Sequence, residues 1–478
     1  MTTLARRAVD RFIGRLCRLL LRIFFRRVEV VGRDRIPPRG PFIVVANHVN
    51  GLIDPLFVFG PLRVRARMLG KSTLWQIPVL RQLLDLAGAI PIHRRIDAGE
   101  GADPAKNAEA FARCHEALAR GEAISIFPEG VSHDRPFLQP LRTGAARIAL
   151  GAELERGPLG VVISPVGLVF EERTTFRSRA LVVVGEPIDP TGELALARAD
   201  LTEAARVLTA RISDALERVT LNYPSWEEAR LIDLGAEIRD RGPEERGRRG
   251  RLAAGFEARR ALAGGLERLR GAVPDEVAAA VEAARDYERL LRTAGLSDEQ
   301  VAAGVGWRRG AAFVLRTLAR LLVASPVAAL GTALHVVPYF AVEAVSRRVE
   351  DEPNQIATYK LFPALVFYPL TWTLAGLAAG HWLGATSGLA LALVAPAAGW
   401  VALRWHERRA MLWRESRAFF LLRNRRHVAE ELRARRAAVE AAIERLYGRW
   451  RELPPDAPPS AAPPPGAPPP ASSASSRA

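Results

Sequence analysis

Hydrophobic and polar positions alternate on three scales along this chain. Between about residues 28 and 190, short apolar runs alternate with stretches of helical spacing. Val28–Val31, Phe42–Ala46, Ala89–Ile92, Ala123–Phe127, Val161–Val169 and Ala180–Val184 read as strands. Helices are expected near Gln76–Leu86, Ala105–Arg120 and Thr143–Leu150. Strand–helix alternation predicts an α/β domain with a largely parallel sheet. From 191 to 308 the period becomes helical and highly charged. Leu201, Ala205, Leu208, Ile212, Leu216 and Val219 share one face there, and Gly242–Gly250 is a charged break. This region is expected to be a helical appendage.

The third scale is that of a bilayer. Leu361–Gly380 and Leu383–Leu403 are each about 20 apolar residues without Asp, Glu, Lys or Arg, long enough to cross about 30 Å of hydrocarbon. Lys360 precedes the pair, Arg404, Arg408 and Arg409 follow it, and the connection is uncharged. Excess basic charge on the cytoplasmic side makes it a hairpin with both ends cytoplasmic, and the chain a multi-pass membrane protein working at that face. Residues 321–345, within a membrane region over 309–405, are apolar too. Arg316 and Arg320 lie on one side and Arg347 and Arg348 on the other. Basic residues at both ends point to re-entrant or paired short segments, with a single span as the alternative. Residues 1–27 read as a helix with Phe12, Ile13, Leu16, Leu19, Leu20, Ile23 and Phe24 on an apolar face and arginines around the rest. Such a helix suits the surface of an anionic membrane, or packing against its own domain. Residues 406–452 form a basic helix, and the Pro/Ala/Ser-rich tail 453–478 is expected to be disordered.

Composition narrows the partners. The 478 residues carry 68 Lys+Arg, nearly all Arg, against 52 Asp+Glu, a net charge of +16. A basic balance points to anionic lipid, nucleic acid or a phosphorylated substrate. Helix-turn-helix, zinc-finger and RNA-binding signatures are not apparent, so no nucleic acid is expected and the charge is assigned to anionic membrane lipids. The two cysteines, Cys17 and Cys114, make neither a disulfide framework nor a metal site.

Chemistry gathers where predicted strands end, which is where open α/β sheets keep their reactive groups. Phe42–Ala46 runs into Asn47-His48-Val49-Asn50-Gly51-Leu52-Ile53-Asp54. Two readings fit: a capping Asn beside a surface His, or a base with its own orienter. In the second, Asp54 accepts from one ring nitrogen of His48 and leaves the other to take a proton. Ala89–Ile92 ends in His93-Arg94-Arg95, where two guanidiniums suit a phosphate or, alternatively, an ion pair with Asp97 or Glu100. Ile124–Phe127 enters Pro128-Glu129-Gly130-Val131-Ser132-His133. Glu129 there is an acceptor for a hydroxyl or an Arg, turn N–H groups suit an anion, and Ser132 lies close by. Arg142 and Gly144 open a helix of small residues whose N-terminus favours a phosphate. Val161–Leu168, with Pro165 and Gly167, reads as wall rather than chemistry.

Taken together, the four blocks resemble the glycerolipid acyltransferase family of the PlsC type, over about residues 30–190. The resemblance implies a glycerolipid-acyltransferase sheet flanked by helices. It also implies an O-acyltransferase of phospholipid biosynthesis that moves an acyl chain from acyl-CoA or acyl-carrier protein to a phosphorylated glycerol or lysolipid acceptor. His48 is then the general base and Asp54 its partner. Arg94 and Arg95 hold the acceptor phosphate, and Glu129 and Gly130 shape the acceptor site. No metal or bound cofactor is required by that chemistry. The usual motif has four residues between His and Asp; here there are five. That spacing resembles a branch with yeast-type glycerol-3-phosphate acyltransferases, and it gives Asn50 a possible share in orienting His48. A catalytically impaired, membrane-anchored lipid-binding protein on the same fold is the alternative.

Overall fold

The computed structural model describes residues 3–93, 104–239, 252–302, 307–349 and 353–453, which form two compact units. The first contains the described residues up to Leu221 and Trp307–Arg414. The second takes those from Asn222 to Ala302, apart from Leu252 and Ala253, and those from Glu415 on.

The first unit is built on a seven-stranded sheet: β1 (Arg27–Val31), β2 (Phe42–Ala46), β3 (Ala66–Lys71), β4 (Ile90–Ile92), β5 (Ala123–Ile126), β6 (Val162–Phe170) and β7 (Arg179–Val184). Their order is β1-β7-β6-β2-β5-β3-β4. All neighbours are parallel except β6 and β7. The strand pattern gave every strand but β3. Arg65 and Arg67 interrupt its apolar run, and Arg67 is neutralised by a two-point contact with Glu122, at 2.6 and 3.0 Å. β2 is central, and all five of its residues are buried, as a parallel strand covered on both faces requires. Because β2, β3, β4, β5 and β6 run the same way, their C-terminal ends share one edge of the sheet.

The helices of this unit are α1 (Thr3–Phe24), α2 (Asp54–Phe59), α3 (Pro78–Ala87), α4 (Pro104–Ala119), α5 (Gly144–Arg156), α6 (Leu194–Ala199) and α7 (Leu201–Glu217). The expected α/β boundary at 190 falls too early. Ala204, Ala205, Leu208, Ile212, Ala215 and Leu216 of α7 are buried in the unit that holds the sheet. Asp200 caps the helix by accepting from the N–H groups of Thr202 and Glu203. The stripe was visible in the sequence, but its partner was not. A Cβ on Gly167 of β6 would overlap the carbonyl of Val219, which shows how closely the chain after α7 passes over the sheet. α1 differs in another way. Its expected single apolar face is two: Cys17, Leu20, Leu21 and Phe24 are buried, whereas Phe12, Leu16, Leu19 and Ile23 form an exposed stripe.

Three helices long and apolar enough to cross a membrane follow: α12 (Trp307–Ser346), α13 (Pro353–Leu383) and α14 (Ala385–Asn424). Gly384, at φ +87°, makes the turn between the last two, a few residues beyond the expected connection. Residues 321–345, expected as re-entrant or paired segments, lie in one uninterrupted helix. Pro326 leaves the carbonyl of Leu322 without its helical donor, and Ser325 Oγ supplies one at 2.8 Å. Such replacement bonds are how apolar helices tolerate proline.

The second unit packs α8 (Trp226–Arg239), α9 (Leu252–Ala272), α10 (Pro274–Ala294), α11 (Asp298–Ala302) and α15 (Arg426–Glu452). Leu231, Leu234, Ile238, Tyr287, Leu291, Val301, Leu432 and Val439 form one core. The basic helix expected over 406–452 thus divides: its first part continues α14, and its second is a core helix of this unit. The tail from residue 454 lies outside the described residues.

Candidate active site

The site sits on the shared edge of parallel strand ends. β2 and β5 are neighbours in register, Val45 opposite Ile126. His48 therefore emerges beside the Phe127-Pro128-Glu129-Gly130 turn. Its ring stacks on Phe127, with centroids 4.3 Å apart and planes within 17°. Asn47 is structural. Its amide bonds the backbone of Leu168 both ways, at 3.1 and 2.7 Å, and so extends the β2–β6 ladder past its last strand residue.

The five-residue spacing is absorbed without loss of geometry. Gly51, at φ +45°, opens a short 3-10 turn over Gly51–Ile53, closed by the Ile53 N–H on the Asn50 carbonyl at 3.0 Å. The turn sets Asp54 at the start of α2, fully buried. Asp54 Oδ2 then accepts three bonds: from His48 Nδ1–H at 2.9 Å and from the N–H groups of Val49 and Asn50 at 2.8 Å each. A buried carboxylate in this position fixes the proton on Nδ1 and leaves Nε2 with its lone pair. Asn50 supports rather than replaces Asp54. Its backbone binds the carboxylate, and its amide reaches the Arg173 carbonyl at 3.4 Å.

Glu129 is buried and committed to the protein itself. Oε1 accepts the His48 N–H at 2.6 Å, and Oε2 accepts the Gln139 N–H at 2.9 Å and the Nε2–H of His133. The His133 N–H donates to the His48 carbonyl at 3.2 Å. Glu129 thus fixes the backbone that carries His48, where the sequence pointed to a group offered to substrate. Gly130, at φ +76°, allows the side chain of Arg142 to cross it; a Cβ there would lie 2.8 Å from Arg142 Nε. Arg142 is exposed, its N–H closing the loop on the Pro128 carbonyl at 2.8 Å, and Gly144 begins α5. Ser132 is partly buried in the turn after Gly130. Arg94 and Arg95 lie outside the described residues. His93 before them is held by Asn107, at 3.0 and 2.8 Å. No group of three or more His, Cys, Asp or Glu suited to a metal occurs among the described residues.

One charged group at this edge was missed in the sequence. Arg173, in the loop after β6, pairs with Asp134 at 2.5 Å. Burial pulls its pKa down, against the opposing pull of Asp134, Asp54 and Glu172. In the sequence Arg173 follows two glutamates, Glu171 and Glu172, which read as its local ion-pair partners, so the paired-guanidinium pattern that singled out Arg94 is absent.

The edge therefore brings together a partly open imidazole with a buried carboxylate on Nδ1, the arrangement of a general base with its orienter, and the largely buried Phe-Pro-Glu-Gly turn beside it. Residues 27–169 match the Acyltransferase family model. Among curated relatives, Glycerol-3-phosphate O-acyltransferase 2 of Saccharomyces cerevisiae is 32% identical over 205 residues, covering 42% of this chain and 26% of the relative. Glycerol-3-phosphate O-acyltransferase 1 of the same yeast is 37% identical over 126 residues, 26% of this chain and 16% of the relative. The chloroplastic 1-acyl-sn-glycerol-3-phosphate acyltransferase BAT2 of Brassica napus is 25% identical over 165 residues, 34% and 43% respectively. The chain therefore spans only about a quarter of the length of the first of these. Among solved structures, the lysophosphatidate acyltransferase PlsC of Thermotoga maritima overlaps 45% of this chain and 81% of its own, at 23% identity and a TM-score of 0.34.

Proposed function

We propose that this protein is a membrane-bound O-acyltransferase of phospholipid synthesis, with glycerol 3-phosphate or 1-acylglycerol 3-phosphate as acceptor. The observation that carries the reading is His48, its Nδ1 bound to a buried Asp54 at 2.9 Å and its ring partly open to solvent. In the reaction Nε2 takes the proton of the acceptor hydroxyl as its oxygen attacks the acyl thioester carbonyl. The new C–O bond forms and the C–S bond breaks. The departing thiolate, from acyl-CoA or acyl-carrier protein, takes the proton from the imidazolium that Asp54 stabilises. Arg173 adds positive charge for the acceptor's phosphate at the same edge. The names of the yeast relatives favour glycerol 3-phosphate.

The lipid-binding alternative drew on the longer His48–Asp54 spacing, and a 2.9 Å contact removes that support. The test is an acceptor panel with labelled acyl-CoA and acyl-carrier protein in membranes, read by chromatography, beside His48→Ala. His48-dependent acylation of a phosphorylated glycerol is expected; acceptor binding without any transfer overturns the reading.

Chain connectivity bears on the membrane as well. Segments before α12 (Leu231, Tyr287) and after α14 (Leu432, Val439) share one core. They occupy one face, so the chain between them crosses an even number of times. The uncharged α13–α14 hairpin, turning at Gly384, supplies the two crossings, and α12, with arginines at both ends, does not cross. Single cysteines at Thr386 and Ser346 should label from opposite and same faces relative to the catalytic domain.

A further inference from the structure

The described residues place α13, one to two turns from its start, against the catalytic turn. Ala357 and Leu361 are buried in the same apolar cluster as Ile53 and Phe57. Thr358 Oγ1 accepts the N–H of Leu52 at 3.1 Å, across 306 residues of sequence. Two residues on, Lys360 Nζ donates to the carbonyl of Thr174 at 3.2 Å, in the loop that carries Arg173. That loop is also joined to the catalytic turn through Asn50.

The backbone donors of the catalytic turn show why this matters. The N–H groups of Val49 and Asn50 go to Asp54, and that of Ile53 goes to Asn50. Leu52 has no carboxylate or local carbonyl of its own and is met by Thr358. The turn contains the extra residue between His48 and Asp54, opened by a left-handed Gly51, so it is the part of the site whose conformation is least imposed by the sheet. An apolar helix of bilayer length therefore ends in a polar clamp with one contact on each side of the site.

We propose that Thr358 and Lys360 are positioning residues for the acyl transfer: through them the cytoplasmic end of α13 holds the His48–Asp54 turn and the Arg173 loop in register. Neither touches the reacting atoms. The inference rests on the reading of His48 as the base.

Thr358→Val keeps the shape and removes the acceptor; Thr358→Ser restores it. In membranes, kcat should fall about five- to tenfold in Thr358→Val, the scale of one buried hydrogen bond, with the KM for the acyl donor little changed. Thr358→Ser should recover most of the loss. Hydrogen exchange gives a readout independent of turnover: the Leu52 amide should exchange about five- to tenfold faster in Thr358→Val and return to its original rate in Thr358→Ser. Lys360→Met should raise the KM for the phosphorylated acceptor, with the Leu52 amide unchanged. Wild-type kcat together with an unchanged Leu52 amide in Thr358→Val overturns the inference, as does a loss that Thr358→Ser leaves uncorrected. Wild-type protein with no His48-dependent transfer overturns the underlying reading instead, whatever the Leu52 amide does.

Discussion

Replacing Asp54 by Asn isolates what the buried carboxylate contributes. The amide fits the same space, and its oxygen can still accept from the N–H groups of Val49 and Asn50, both 2.8 Å from Oδ2 in the native protein. It loses the negative charge beside His48 Nδ1, 2.9 Å away. A hydrogen bond to a charged group contributes about 1.5–3 kcal/mol. Two unit charges about 4 Å apart add about 4 kcal/mol at an effective dielectric near 20. These overlap rather than add, because the charge-assisted bond is itself mostly Coulombic. About 3–4 kcal/mol is therefore lost when the imidazolium forms, and at about 1.4 kcal/mol per decade kcat should fall about 10²- to 10³-fold. The ground-state site keeps its shape, so the KM for the acceptor should stay within about threefold of the native value. The assay is initial-rate acyl transfer in membranes across acceptor concentrations, normalised to inserted protein. A fall of less than about fivefold in kcat, with the protein folded, would refute the assignment of Asp54 as the partner of the base.

Three further outcomes test other parts of the structure. Arg173→Met should raise the KM for a phosphorylated acceptor about tenfold or more, the scale of one charge-assisted contact, while leaving the KM for acyl-CoA alone. Gly167→Ala should prevent stable folding, because its Cβ would overlap the Val219 carbonyl and push the chain after α7 off the sheet; a native melting temperature would contradict the packing. Cys114 is fully buried in α4, and burial pushes its thiol up to about 12. Native protein should thus resist iodoacetamide at pH 8.5 and react once unfolded. Because that pKa is raised, the stability linked to it is complete below the unfolded value of 9.0 and is lost as pH rises toward 12.

The sequence read well where a property is local. Six of seven strands follow from apolar runs alone, and β3 escaped because Arg67 sits within it, acceptable only once Glu122 is opposite. The His48–Asp54 pairing was legible because a carboxylate lies six positions on. The function of Glu129 was not, because a buried carboxylate and a substrate-facing one look the same in a turn. Only its partners distinguish them: the backbone N–H groups of His48 and Gln139, 81 and 10 residues away, and the ring of His133. Arg173 and Thr358 share that difficulty: each acts on a turn far from it in sequence, and nothing periodic marks the pairing.

The spacing between His48 and Asp54 shows where pattern stops and geometry begins. On a continuous helix one added residue turns a side chain by about 100°, which would carry Asp54 away from the ring. The chain avoids this by not being helical until Asp54. Gly51 takes a left-handed conformation, the 3-10 turn consumes the added residue, and α2 starts with the carboxylate already aimed back at the strand end. The cost is a catalytic loop with one more residue to hold. The Leu52 N–H lies inside that loop and is met by Thr358 from α13 at 3.1 Å. The longer motif and the apolar helix thus meet at one bond: a donor inside the turn that the turn does not satisfy, and an acceptor near the start of α13.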